Sequence, residues 1–127
     1  MTTHEPGRTS LSRNGAIWVL ALTGEHDITT RERLDQDMEQ IAASGTSVVI
    51  DLSRATFIDS QVIAWLVRWW ERSCESTHLH VAIATGEGES PVTRLLELVG
   101  LADTLPCYPT APGALRHLNA NPETCAR

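Results

Sequence analysis

Asp59-Ser60 places a hydroxyl directly after a carboxylate, between a short apolar step, Phe57-Ile58, and a long helical pattern. The first N–H groups of a helix lack internal partners. Together with the positive end of the helix dipole they draw anions to such a corner. Ser60 is therefore either a plain N-cap or the point at which a phosphate is accepted and released. Other groupings deserve the same weighing. Asp27 and Asp59 could act as a general acid/base pair, but nothing else marks out a substrate pocket, and turn and cap chemistry is their ordinary use. Ser60, His26 and Asp59 can be drawn as a triad, yet no G-x-S-x-G elbow surrounds the serine. His78 and His80 alternate as a weak metal pair would, but no third ligand follows at a useful spacing, so they read as solvent-facing strand residues. Gly86-Glu87-Gly88 imitates a phosphate loop, except that its glutamate would repel the phosphate. The expectation is a protein without enzymatic activity, cofactor or metal.

The elements that must position this corner follow from hydrophobic spacing. Asn14-Gly15 is a hairpin signal of type I′, after ten residues that read as loose chain or a weak edge strand. Residues 16–22 read as a buried strand, and Gly24-Glu25-His26-Asp27 as a polar loop. Thr29 and Glu32 have the spacing of a capping box, ahead of a helix marked by Leu34, Met38 and Ile41 and stopped at Ser44-Gly45. Residues 47–52 form an apolar run with almost no alternation, as in a strand covered on both faces. From Ser60 to about Ser73, Ile63, Leu66, Val67 and Trp70 recur at i, i+3, i+4, i+7 and mark a helix with that stripe as core. Leu79, Val81 and Ile83 alternate as a further strand. Ser90-Pro91 caps and opens a helix carrying Val92, Leu95, Leu96 and Val99, which Gly100 ends. Residues 105–108 read as an edge strand, since Pro106 cannot donate to a ladder, and Ala114, Leu115 and Leu118 as a short final helix. Alternating strand and helix after a leading hairpin gives an α/β class with a mixed sheet.

Composition narrows the function. The 127 residues suit one domain, residues 1–127. A net charge of −6 disfavours nucleic acid and anionic membrane surfaces. All ten basic residues are Arg, so no Lys is available for a P-loop or a Schiff base. No apolar run reaches the length of a membrane span, and no signal-peptide core opens the chain. Cys74, Cys107 and Cys125 are odd in number and lack C-x-x-C spacing, so reduced thiols and a cytoplasmic location are expected.

At Gly24-Glu25-His26-Asp27 and Phe57-Ile58-Asp59-Ser60 the chain resembles the STAS domain family, the anti-sigma factor antagonists. These proteins carry a similar G-E-x-D loop before their first helix and an aromatic-aliphatic-Asp-Ser step before their second. The resemblance runs in order and spacing over residues 16–118. It implies a small central sheet with helices packed mainly on one face. It also implies that Ser60 is phosphorylated by a cognate anti-sigma factor that is itself a serine kinase, that the unmodified form binds that partner, and that a serine phosphatase can restore it. Asp27 and Asp59 would flank Ser60, orienting it or helping to position the kinase's metal. After that serine the family run continues Ser-Gly-Leu-Gly where this chain has Gln61-Val62-Ile63-Ala64, so Gln61 and Val62 bear on docking. A runner-up within the family is a subunit docking on a lipid-transport ABC ATPase; the rival outside it is a small enzyme using Asp27, Asp59 and Ser60.

Val62, Trp65 and Trp69 share a second apolar flank of the same helix. That flank is either buried as well or, since Trp is enriched at binding hot spots, turned to the partner. Asp27, Asp59, Gln61, Val62, Trp65 and Trp69 are accordingly the candidate partner-binding residues.

Overall fold

The computed structural model describes residues 7–26, 30–44, 46–75 and 78–120. In chain order these form β1 (Arg8–Asn14), β2 (Ile17–His26), α1 (Arg31–Ala43), β3 (Ser47–Ile58), α2 (Ser60–Glu75), β4 (His80–Ala84), α3 (Pro91–Leu98), β5 (Cys107–Tyr108) and α4 (Ala111–Ala120). The strands lie side by side in sequence order. The β1–β2 pair is antiparallel and every later pair parallel. The architecture is thus α/β with a mixed sheet.

Parallel neighbours need crossovers, and α1, α2 and α3 supply them. Because strand order advances in one direction, the right-handed preference of such crossovers puts all three helices on the same side. Leu20, Leu22, Val48, Ile50, Val81 and Ile83 meet them there in the larger core. The opposite face is smaller: Ile17, Val49, Ala82 and Ala84 pack against Ala114 and Leu118 of α4. Burial of successive residues such as Val48, Val49 and Ile50 on opposite faces removes the alternation that a one-sided strand would show.

The boundaries depart from the sequence expectations in ways that shape the site. The hairpin turns on Gly15-Ala16 instead of Asn14-Gly15, since Asn14 pairs with Ile17. Gly15 has φ +63° and Ala16 a negative φ, the pattern of a II′ turn. The polar stretch Gly24-Glu25-His26 continues β2 and is no loop; Gly24, at φ +79°, sits at a register irregularity. Helix α1 starts at Arg31 with Thr30 as N-cap and no side-chain cap bond, while Thr29 and Asp27 lie outside the described residues.

The largest difference is β3, which runs six residues past Leu52, to Ile58. Its register against β2 slips twice, with Ala21 opposite Asp51 but Thr23 opposite Arg54, then Gly24 opposite Ala55 but Glu25 opposite Phe57. Each slip inserts one extra residue into β3, a bulge that bends and twists the strand. Burial therefore falls on Leu52, Ala55 and Ile58, every third residue, and Phe57 is turned outward. No strand pattern of period two survives there.

Cys107 is a free thiol whose pKa burial pushes up to about 11. Cys74, at the end of α2, is disulfide-bonded. That corrects the expectation of three reduced thiols, and cysteine usage accordingly carries no argument about compartment. No helix among the described residues is long and apolar enough to cross a membrane.

Candidate functional site

The extended halves of β2 and β3 build the corner. Ladder pairing between β3 and β4 ends at Asp51 and Ala84, whereas β2 and β3 remain paired as far as His26 and Ile58. The two strands carry the start of α2 beyond the rest of the sheet. His26 is fully buried and fixes this end. Its carbonyl accepts from the Asp59 N–H at 3.2 Å. Its ring Nε2 lies 2.9 Å from the Thr23 carbonyl, and its Nδ1 lies 3.2 Å from the Thr30 hydroxyl. A carbonyl only accepts, so Nε2 donates to it, and in the neutral ring Nδ1 accepts from the Thr30 hydroxyl. Both ring nitrogens are committed, which leaves His26 unable to serve Ser60 as a base and removes the triad drawn from Ser60, His26 and Asp59.

Asp59 is the N-cap of α2, the role that Ser60 would have filled as a plain cap. Its Oδ1 accepts from the backbone N–H groups of Gln61 and Val62 at 3.0 and 3.1 Å. Its carbonyl takes the first helical bond, from Ile63 N at 3.1 Å. Ser60 is consequently the first helical residue, exposed, and its hydroxyl makes no hydrogen bond to a described residue. The carboxylate does the capping and the hydroxyl is released to solvent. Asp59→Ala should lower stability by about 1 kcal/mol, the usual worth of an N-cap, and Asp59→Asn should retain most of it; urea unfolding of the two variants measures the difference.

Gln61 is half-buried and receives a hydrogen bond from the Arg31 guanidinium at 2.8 Å. Arg31 also lies 3.8 Å from Asp35. A cation on α1 thus stands beside the α2 start. Sequence reasoning missed it, because only the packing of two helices brings positions thirty residues apart together.

The tryptophan flank is core. Val62, Trp65 and Trp69 are buried together with Leu66, while Ile63, Val67 and Trp70, read as the core stripe, are only half-buried. Val62, Trp65 and Trp69 are therefore withdrawn as docking residues. Both stripes have helical spacing, so period alone could not rank them. The Trp69 indole N–H donates to Asp35 at 3.2 Å, and the Arg72 guanidinium stacks 4.1 Å from its ring. Val62 differs from the family's small residues on the inside of the helix, not on its exposed side.

Of the predicted site residues, the structure thus gathers Asp59, Ser60 and Gln61 at one corner, and Asp27 lies outside the described residues. His80 opens β4 with His78 just before it, and among the described residues no group of three His, Cys, Asp or Glu side chains is placed to hold a metal.

The family model described as "Mlab, STAS domain" matches residues 9–106. Among solved structures, the chain is similar to an anti-sigma factor antagonist from Mycobacterium paratuberculosis, with 27% identity and a TM-score of 0.75, over 94% of this chain and 99% of that one. It is also similar to the anti-sigma factor antagonist SpoIIAA in its unphosphorylated form, with 19% identity and a TM-score of 0.70, over 89% and 97% of the two chains. Likeness at that lower identity speaks for the fold alone. No curated protein sequence matches the chain.

Proposed function

The chain belongs to the STAS domain family, and we propose that it acts there as a single-domain anti-sigma factor antagonist switched by phosphorylation of Ser60. In this reading the unmodified protein binds an anti-sigma factor with serine kinase activity and so frees a sigma factor in the cytoplasm. The kinase ends the interaction by modifying Ser60, and a serine phosphatase restores it. The protein itself binds and does not catalyse.

One observation carries the reading: Asp59 satisfies the α2 cap, which leaves the Ser60 hydroxyl exposed and uncommitted at the first helical position. A kinase can reach such a hydroxyl without unfolding the corner. The similarity to the mycobacterial antagonist supports the partner class. Phosphate on Ser60 would add roughly −1.5 to −2 charges next to the Asp59 carboxylate. The positive dipole end of α2 would partly tolerate that charge, whereas a partner surface fitted to a neutral hydroxyl would not. The switch is a local charge with a binding readout.

Incubation with the cognate kinase and ATP, followed by peptide mapping, tests the assignment. A single phosphate on Ser60, absent from Ser60→Ala, is expected. Phosphate on Ser53 or Ser73, with Ser60→Ala still fully modified, would refute it. Association with an ABC ATPase in place of a kinase-type partner would favour the transporter reading.

A further inference from the structure

Phe57, Leu98 and Val99 are the large apolar residues exposed among those described, at 51, 83 and 50%. Scattered exposed apolar residues are ordinary, but Phe57 and Leu98 meet at one place. Phe57 and Leu98 line one groove of about 240 Å³ between the end of β3 and α3, floored by Ile58, Val92 and Leu95. Val99 follows directly after α3.

The fold explains why the groove is open. Beyond Asp51, β3 has β2 on one side and no ladder to β4 on the other. Helix α3 covers that edge only in part, burying Val92 and Leu96. The second bulge then turns Phe57 outward at the rim. Apolar side chains that meet across an open groove offer area that a partner can cover.

A charge adds direction. Arg94 lines the same groove, and no described residue forms an ion pair with it. A guanidinium left at an apolar rim suits a carboxylate arriving with the ligand, where planar pairing can form.

We propose that this groove is the second half of the docking surface that begins at Ser60. It receives an apolar segment of the anti-sigma factor flanked by a carboxylate that pairs with Arg94. The proposal rests on the partner-switching reading above and extends its surface. Phe57 precedes Ser60 by three residues, so their Cα atoms lie within about 11 Å of each other. A stable interface covers about 800 Å² on each partner, more than the first turn of α2 can offer. The groove supplies apolar area beside the hydroxyl, and Ser60 then decides whether the joint surface closes.

Calorimetric titration of the purified kinase-type anti-sigma factor tests this with Leu98→Ser and Arg94→Glu. Both positions are exposed, so thermal melting should match the unsubstituted protein. Each change should weaken binding by about tenfold or more, as truncation at a hot spot does. Replacing the partner's groove-facing carboxylate with Arg should restore the affinity of Arg94→Glu. Both variants binding within about twofold of the unsubstituted protein, while Ser60→Asp binds weakly, would overturn the groove and leave the Ser60 switch standing. If Ser60→Asp also bound normally, both would fall. A dimer in sedimentation that Leu98→Ser dissolves, with partner affinity unchanged, would assign the groove to a second copy and overturn the proposal.

Discussion

Trp69→Ala is expected to cost about 3–5 kcal/mol of folding stability, a large share of the roughly 5–15 kcal/mol that holds a domain folded. The ring is buried in the main core. Its removal leaves a cavity under α2 that the neighbouring Trp65 and Leu66 cannot fill without leaving their own places. The change also deletes the indole bond to Asp35 and the platform on which Arg72 rests. Asp35 is half-exposed, so its carboxylate can turn to water, and most of the loss comes from packing. Denaturant unfolding measures it. A loss below about 1 kcal/mol, with partner binding impaired instead, would return Trp69 to the docking surface.

Ser60→Asp should weaken partner binding by about ten- to hundredfold, and Ser60→Ala should bind as the unsubstituted protein does. Alanine keeps the corner neutral and compact. Aspartate adds a charge beside Asp59, at a position where the partner is fitted to a hydroxyl. Each 1.4 kcal/mol of repulsion is a factor of ten in affinity. Neither variant should lose stability, because Asp59 caps α2 and Ser60 makes no hydrogen bond to a described residue. Equal affinities for Ala and Asp would rule out a charge-based switch.

What could be read from sequence tracks how local each determinant is. Helix α3 was legible to the residue at its start: Ser90 accepts from Thr93 N at 3.1 Å and Pro91 opens the helix, and both signals lie within one turn. The core run of β3 was legible for its apolar density. Its second half was not, since two bulges replace a period of two by burial at Leu52, Ala55 and Ile58. The corner itself was visible, but the cap was placed one residue late. Asp and Ser are equally good N-caps, and only the buried end of β3, with the Asp59 N–H held by the His26 carbonyl, decides between them. The face of α2 turned to the sheet, and the approach of Arg31 to Gln61, depend on packing between distant segments. The exposed groove beside α3 depends on them too, because Phe57 faces outward only in a bulged strand.

The most direct measurement of the partner switch compares one protein in two chemical states. The chain is phosphorylated to completion at Ser60, and both forms are titrated into the purified kinase-type anti-sigma factor with ADP present. The account predicts tight binding by the unmodified form and a loss of at least about tenfold on phosphorylation, from a charge of roughly −1.5 to −2 at the α2 start. Equal affinity for the two forms would contradict it.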